Sequence, residues 1–188
     1  MLKLDFTYAD LNLPATLSVT RRQSISGVQQ KTQLLRQRGR FVPVESGGDY
    51  ILKPAPRNTP ARLAADIPAN EALTMDIAHD IFKINVAEHE LAQLADGELA
   101  YLTKRFDSRS GVKLHQEDFC QLSNRSPADF VELGLCYDIG EYDVRELLSS
   151  FIQNQHQVTD TIESSYLSPE AKELYLSKFL DRLRAIKQ

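Results

Sequence analysis

The sequence predicts an α+β protein in which a β-rich part precedes a helical part. Residues 1–106 contain most segments with alternating apolar residues, and we assign them to a β-rich N-terminal lobe with one helix. Residues 107–188 contain apolar residues at helical spacing, and we assign them to a partial helical C-terminal lobe.

The first predicted elements are strands. Residues 2–8 alternate between apolar and polar side chains, which predicts a strand. Residues 32–44 predict a hairpin that turns at residues 37–40, and residues 50–53 predict a strand that ends before Pro54. Proline suits this place because the residue before it avoids helical backbone angles.

A helix follows, and then two more strands. Apolar residues recur every four positions at Ala69, Leu73, Ile77 and Ile81, which predicts a helix from about residue 68 to 82. Residues 86–94 and 98–105 predict two strands joined near Asp96 and Gly97.

The second half of the chain changes to helical patterns. Residues 117–122 and 127–133 predict short helices, and residues 141–153 predict a longer one. The run Ser168-Pro169-Glu170 predicts a helix start, with serine as the cap, proline in the first turn and an acid near the positive end of the dipole.

Composition restricts the class of protein. The chain has 188 residues, of which 42% are hydrophobic and 26% are charged, as in soluble globular proteins. Its apolar stretches are too short to span a bilayer, and its first residues lack the apolar core of a signal sequence. We therefore expect a cytoplasmic protein without membrane contact. Cys120 and Cys136 form no CxxC motif or zinc spacing, so we expect two buried thiols.

The charge of the chain is unevenly distributed. Residues 11–44 contain six basic and no acidic residues, whereas the rest contains 16 basic and 26 acidic residues. A basic segment in an acidic protein indicates an anionic partner. A solvated hairpin whose basic residues protect an edge strand accounts for the same charges equally well.

Three motifs together predict a nucleotide site. The loop Ser24-Ile-Ser-Gly-Val-Gln-Gln-Lys31 has small residues that let backbone N–H groups approach a phosphate, although a single glycine more often marks a simple turn. Lys53 lies on the following strand and Glu71 on the next helix. A strand lysine paired with a helix glutamate under a phosphate loop is the arrangement of protein kinases. Each residue alone would more often be a surface charge.

Two later stretches have weaker signals. Residues 99–107 form an apolar strand that runs into a linker between the lobes, where backbone groups could contact an adenine edge. Residues 115–121 are densely polar, and a capped helix start with Phe119 in the core explains them as well as a site does.

The order of these motifs resembles the HipA-like serine/threonine kinases, the toxin kinases of bacterial type II toxin–antitoxin systems. The resemblance lies in the runs SISGVQQK, YILKP, ANEALTM, LTKRFD and LHQEDFCQL, in unbroken order over about residues 20–122. The stretch from Ser164 onward is similar to the final helix of such kinases. The resemblance implies a protein-kinase-like fold of HipA type, with a β-rich N-lobe and a reduced helical C-lobe.

The resemblance also implies roles for individual residues, with ATP and Mg²⁺ as cofactors. It assigns ATP binding to Ser26, Gly27, Val28, Gln29, Gln30, Lys31, Lys53, Glu71, Lys104, Arg105 and Phe106. Among these, Lys53 would contact the phosphates, Glu71 would orient Lys53, and residues 104–106 would form the adenine hinge. Ser24 is where the family's inhibitory autophosphorylation falls, and Ser26 is a second candidate. A phosphate there would add about −1.5 to −2 charges and repel the nucleotide.

The sequence departs from the family's catalytic pattern. Phosphoryl transfer needs a catalytic aspartate, an asparagine and a metal-binding aspartate, and residues 122–188 contain no such loop. His156 and Asp160 do not have the spacing of the family's catalytic loop. Tyr137-Asp138 matches the family's Tyr-Asp motif by chance, since it precedes the predicted helix 141–153. We therefore assign no catalytic residue and no metal ligand. We expect a C-lobe block to be missing between about Gln153 and Ile162, and the chain to transfer phosphate poorly or not at all.

Two rival functions remain open. One is a non-catalytic, pseudokinase-like module that binds an antitoxin or an intact kinase, and it predicts an exposed apolar patch. The other is a nucleic-acid binder that uses Arg36, Arg38 and Arg40, which ranks last because only Phe41 supplies an aromatic ring there. We expect nucleic-acid contact only indirectly, through an antitoxin.

Overall fold

The computed structural model describes residues 1–12, 30–57, 62–106, 108–109, 112–113, 127–136 and 138–187. The chain divides into two compact units: unit 1 comprises residues 1–76 and 85–114, and unit 2 comprises residues 77–84 and 115–188. The predicted α+β class is confirmed, because a mixed sheet is followed by C-terminal helices.

Unit 1 contains a six-stranded sheet. Its strands are β1 (Leu2–Lys3), β2 (Thr32–Gln37), β3 (Arg40–Val44), β4 (Tyr50–Pro54), β5 (His89–Gln93) and β6 (Leu99–Lys104). They lie in the order β1-β5-β6-β4-β2-β3. Only β1 and β5 pair in parallel, and the other neighbours are antiparallel. A separate two-stranded ribbon joins β7 (Ser108–Arg109) to β8 (Val112–Lys113).

The hairpin of β2 and β3 forms as predicted. Gln37 pairs with Arg40, so Arg38 and Gly39 are the two central residues of the turn. Both have positive φ angles, 49° and 82°. Positive φ at both positions defines the type I′ turn, whose twist matches that of the paired strands.

Gly48 allows the next turn to lie against β2. A Cβ atom at this position would lie 2.8 Å from the Cβ of Gln33 and 2.8 Å from the carbonyl oxygen of Leu34. The N–H of Gly48 donates to Gln33 Oε1 at 3.0 Å. This close approach requires glycine and fixes the start of β4 beside β2.

The strand predicted for residues 2–8 is wrong beyond Lys3. The N–H of Tyr8 donates to Asp96 Oδ2 at 2.9 Å, and the N–H of Thr7 donates to Asp10 Oδ2 at 2.7 Å. Carboxylates thus replace backbone partners at Thr7 and Tyr8, whereas the N–H of Leu4 still donates to the carbonyl of Gln93 at 2.9 Å. The apolar alternation still has its effect, because the side chains of Leu4 and Tyr8 are buried in the core.

The two faces of the sheet have different coverings. One face carries the core, which contains Leu4, Tyr8, Leu11, Leu34, Tyr50, Leu52, Ala92, Leu94, Ala100 and Leu102. On the other face, helix α1 (Ile67–Asp76) contacts β5 and β6 and buries Ala69, Ala72 and Leu73. The predicted helix 68–82 is α-helical only to Asp76, because Ile77–Ile81 is π-helical and Phe82 donates to the carbonyl of Ile77.

In its described residues, unit 2 is helical. Its helices after residue 126 are α2 (Pro127–Cys136), α3 (Glu141–Gln153), α4 (Gln155–Ser164) and α5 (Pro169–Ile186). The bounds of α3 are those predicted. The predicted cap of α5 is also confirmed, because Ser168 Oγ accepts from the N–H of Ala171 at 3.3 Å. The predicted helix 117–122 lies outside the described residues.

In the part of the chain that the structure describes, no helix combines the length and the apolar character that crossing a membrane requires.

Candidate functional site

Lys53 lies on the helix-covered face of the sheet. Along β4, Tyr50 and Leu52 are buried in the core face, so Ile51 and Lys53 have their side chains on the opposite face. Lys53 pairs with Tyr101 of β6 across the ladder. The Lys53 ammonium lies 5.2 Å from the centroid of the Tyr101 ring, within the range of a cation–π interaction.

Glu71 of α1 is the hydrogen-bond partner of Lys53. Lys53 Nζ donates to Glu71 Oε1, and the two groups form an ion pair. Their side chains are 21% and 24% exposed, so the pair is largely desolvated and still open to solvent on one side. The structure therefore brings together the strand lysine and helix glutamate that the sequence singled out.

Lys31 belongs to the same electrostatic environment. Burial lowers the pKa of Lys31, the positive charge of Lys53 lowers this pKa further, and the negative charge of Glu71 opposes the shift. Two lysines and one carboxylate are thus close enough for their charges to interact. A cluster with net positive charge that is partly shielded from water favours an anion, because attraction increases as the local dielectric falls.

The other described residue of the predicted phosphate loop is Gln30. Tyr8 Oη donates to Gln30 Oε1 at 3.0 Å, and Gln30 Nε2 donates to the carbonyl of Leu11 at 3.4 Å. Its amide is thus held by the N-terminal segment. Ser24, Ser26, Gly27, Val28 and Gln29 lie outside the described residues.

The predicted hinge follows β6 directly. The backbone N–H of Lys104 donates to the Glu88 carbonyl at 2.8 Å, and that of Arg105 donates to the Asp49 carbonyl at 2.8 Å. These two N–H groups already donate to carbonyls of the protein, so other groups would have to form hydrogen bonds with an adenine base here. The Phe106 side chain is 69% exposed.

The side chains of the hinge residues are engaged as well. Lys104 Nζ lies 3.1 Å from Glu88 Oε2, and this hydrogen bond and charge raise the pKa of Lys104. The Arg105 guanidinium donates to Gln33 Oε1 at 3.1 Å. Both contacts tie the end of β6 to neighbouring segments of unit 1.

Sequence reasoning missed Tyr101. Its ring lies beneath the Lys53 ammonium, and its side chain is buried. Burial, followed by the negative charges of Glu71 and Asp76, raises the pKa of Tyr101, whereas a hydrogen bond with Thr103 lowers it. The alternation along residues 99–104 was the available signal, but the register between β4 and β6 was needed to place the ring under Lys53.

A small pocket lies on the core face of the sheet. It has a volume of about 130 Å³, and its lining includes Phe41, Tyr50, Glu88 and Leu102. Tyr50 and Leu102 alternate with Lys53 and Tyr101 along their strands, so the pocket and the Lys53 cluster are on opposite faces. We base the functional site on the charge cluster, because the pocket is too small for a nucleotide.

The described residues contain no group of three or more His, Cys, Asp or Glu side chains placed to hold a metal ion. The one carboxylate of the cluster, Glu71, is engaged by Lys53. The described part of the site therefore fits an anion and does not fit a magnesium ion, and we derive no step through a metal.

Comparison with known proteins shows the family of the chain. A model of the HipA-like C-terminal domain family matches residues 23–166. The chain is also similar to a Haemophilus influenzae protein named "Putative kinase", with 36% identity over 99 residues. That alignment covers 50% of this chain and 27% of the relative, so the chain matches about a quarter of that protein's length. Since the family model covers most of the sequence, the chain belongs to the family of HipA-like C-terminal domains.

Proposed function

We propose that this chain belongs to the lineage of HipA-like serine/threonine kinases and that its Lys53 cluster binds the phosphates of ATP. The observation that carries the proposal is the ion pair between Lys53 on β4 and Glu71 on α1. In protein kinases, such a pair orients the lysine toward the nucleotide phosphates. The family and the name of the Haemophilus relative support this reading.

The physical role of each group follows from its position. Lys53 would contribute a fixed positive charge, and Glu71 would hold the ammonium in one direction through its hydrogen bond. Lys31, whose charged form is disfavoured by burial and by Lys53, would gain from the approach of an anion. A phosphate would thus relieve the repulsion between the two lysines.

Calorimetric titration with ATP and magnesium ions tests the proposal. We expect the wild-type chain to bind ATP and Lys53→Ala to weaken binding at least tenfold. Glu98→Gln is the matched control, because it removes an ion pair with Arg57 in unit 1 that lies outside the cluster. Absence of binding by the wild type, or equal binding by Lys53→Ala, would refute the nucleotide site.

We further propose that this chain does not transfer phosphate by itself, because the sequence supplies no catalytic aspartate and asparagine loop. Serine/threonine phosphorylation and a toxin role would then require an intact kinase. A radiolabelled phosphotransfer assay with ATP and magnesium should show no turnover. Turnover that Lys53→Ala abolishes would contradict this part of the proposal.

Regulation by phosphorylation at Ser24 or Ser26 belongs to the same proposal. Both serines precede Lys31 in the loop assigned to the phosphates, and a phosphoserine there would compete for the lysine charges. A Ser24→Asp or Ser26→Asp variant should bind ATP more weakly than the corresponding alanine variant. Equal affinities for the two substitutions would argue against the switch.

A second candidate function is a non-catalytic module that binds an antitoxin or an intact kinase. The helices of unit 2 expose large apolar side chains, with Tyr142 75%, Leu147 59% and Leu135 59% exposed. Exposed apolar side chains of this size are typical of interaction surfaces when they are contiguous. Sedimentation of the wild type and Leu147→Glu tests it. Loss of self-association or partner binding in the variant, with ATP binding absent in both, would favour this candidate.

A further inference from the structure

Among the contacts of the described residues, two polar ones join helix α1 to the sheet. The first is the pair between Lys53 and Glu71. The second joins Asp76, the last residue of the helix, to His89 at the start of β5, with Asp76 Oδ1 3.1 Å from His89 Nε2. The other ring nitrogen of His89 lies 2.9 Å from the carbonyl oxygen of Ala87. Each ring nitrogen thus lies within hydrogen-bond distance of an oxygen, which restricts the orientation of the ring.

The His89 side chain is less exposed to solvent than the side chains of Lys53 and Glu71. The His89 side chain is only 9% exposed, whereas that of Asp76 is 55% exposed. Asp76 is the last α-helical residue before the π-helical turn Ile77–Ile81. Because the His89 side chain is enclosed, its contact with Asp76 is a specific attachment and not a general surface contact.

Tyr101 connects the two contacts. The His89 ring centroid lies 6.0 Å from that of Tyr101, and the Lys53 ammonium lies 5.2 Å from the Tyr101 centroid on the same face of the sheet. The negative charges of Glu71 and Asp76 both reach the Tyr101 hydroxyl, since both contribute to the rise of its pKa. A member of each polar contact of α1 therefore lies within about 6 Å of the centroid of one aromatic ring.

We propose that His89 and Asp76 are a positioning pair that fixes the end of α1 on β5 and thereby keeps the Glu71 carboxylate on Lys53. The proposal rests on the nucleotide site proposed above. Glu71 and Asp76 are five residues apart on one helix, so a rotation of α1 that follows loss of the Asp76 contact also moves Glu71. His89 and Asp76 touch neither Lys53 nor the nucleotide, and they act through Glu71.

Coupling to Glu71 distinguishes positioning from a purely structural role. Calorimetry would measure ATP affinity for His89→Ala in two backgrounds, one with the native Glu71 and one carrying Glu71→Gln. We expect about a fivefold to tenfold loss of affinity in the native background and less than a twofold loss in the Glu71→Gln background, because the orienting carboxylate is already removed there. An equal loss in both backgrounds would overturn the proposal.

Conservative and matched variants complete the affinity test. His89→Gln retains a donor for Asp76 and should recover most of the affinity lost in His89→Ala. Asp76→Ala removes the oxygen that faces His89 and should behave like His89→Ala. Glu98→Gln, which breaks an ion pair of unit 1 away from α1, should leave ATP affinity unchanged. Failure of His89→Gln to recover affinity would count against a hydrogen-bonding role.

A readout without nucleotide separates this inference from the proposed function. Hydrogen exchange of the α1 amides and the rate of Lys53 acylation, both followed by mass spectrometry, report on the helix and on the lysine. We expect both rates to rise at least threefold in His89→Ala and to stay at the wild-type value in Glu98→Gln. If the wild type fails to bind ATP while these rates rise, the nucleotide site is refuted and the positioning pair stands. Unchanged rates in His89→Ala overturn the positioning pair whatever the result with ATP.

Discussion

The two partners of the central ion pair should differ in their importance for stability. We compare Glu71→Gln with Lys53→Met, each of which removes one charge at similar side-chain volume. In Lys53→Met, Glu71 keeps the attraction of Lys31 and the repulsion between the lysines is removed. In Glu71→Gln, the repulsion between the two lysines stays and the attraction of Glu71 for both is lost. We therefore expect Glu71→Gln to be the more destabilising substitution.

The burial of the pair sets the magnitude. Exposed ion pairs contribute about 0.2–1 kcal/mol, and breaking a fully buried pair costs about 3–5 kcal/mol. With side chains 21% and 24% exposed, this pair is intermediate, so we expect Lys53→Met to cost about 1 kcal/mol. The unrelieved repulsion between two nearby lysines adds about 1 kcal/mol in Glu71→Gln, the size of a close charge pair in water.

Urea denaturation would measure both costs. The chain has no tryptophan, so far-UV circular dichroism and tyrosine fluorescence are the probes. Because the chain has two compact units, hydrogen exchange of unit 1 amides should accompany the global measurement. Glu98→Gln is the exposed-pair control and should cost less than about 0.5 kcal/mol. High salt should reduce the difference between the two variants. An equal loss of stability in the two variants, or a larger loss in Lys53→Met, would refute the idea that Lys31 interacts with the charges of both Lys53 and Glu71.

Three further predictions concern the fold and its pH dependence. Gly48→Ala should lower stability by about 1–3 kcal/mol in urea denaturation, because its Cβ would lie 2.8 Å from backbone and side-chain atoms of β2. Gly140→Ala is the comparison without a steric overlap, since its Cβ would lie 3.5 Å from its nearest neighbour, and it should cost only the smaller penalty of alanine at the N-cap of α3. The pKa of Lys31 is lowered in the folded state, so the unfolded chain binds more protons at alkaline pH. The stability of the wild type should therefore rise relative to that of Lys31→Met as the pH approaches 10.5. A stability difference between the two proteins that does not change with pH in this range would contradict the shift. Gly134→Ala should destabilise α2 because its Cβ would overlap Cγ2 of Val144, and adding Val144→Ala should recover part of the loss in thermal melting.

The parts of the fold that local signals determine could be predicted from the sequence. The hairpin around Gly39 forms because both turn residues accept positive φ, and α5 begins where Ser168 caps it. The pairing of Lys53 with Glu71 was expected for another reason, the order of a loop, a strand lysine and a helix glutamate that is typical of protein kinases. The structure brings the two side chains together.

Contacts that depend on register or on distant side chains could not be predicted. Tyr101 lies under Lys53 only because β4 and β6 pair in one particular register. Thr7 and Tyr8 leave the predicted strand because carboxylates, one of them from the distant Asp96, accept their N–H groups. The pair of Asp76 and His89 likewise joins positions thirteen residues apart through the packing of α1 on β5.

Helix α4 was missed for a different reason. It buries only Val158 and Ile162, so its apolar stripe is narrow. Its polar side chains include hydroxyls that donate to carbonyls one turn earlier, as Thr159 does to Gln155 at 3.0 Å and Thr161 to Gln157 at 2.7 Å. Such residues resemble a loop in sequence because they favour caps and turns over helix interiors. The residues where we expected a deleted block to be joined therefore form a regular helix.

The balance of charge around Lys53 indicates what the cluster is suited to do. A site that only had to attract phosphate would gain most from two lysines without a carboxylate, because Glu71 cancels one positive charge. The carboxylate nevertheless occupies the best hydrogen-bonding position of Lys53. Glu71 thus weakens the long-range attraction of the cluster for an anion, and it fixes the orientation of the Lys53 ammonium. A fixed orientation is what a lysine that positions a nucleotide needs and a surface lysine lacks. The second attachment of α1 through Asp76 is consistent with this reasoning, because a carboxylate can fix a lysine only if its own helix is fixed.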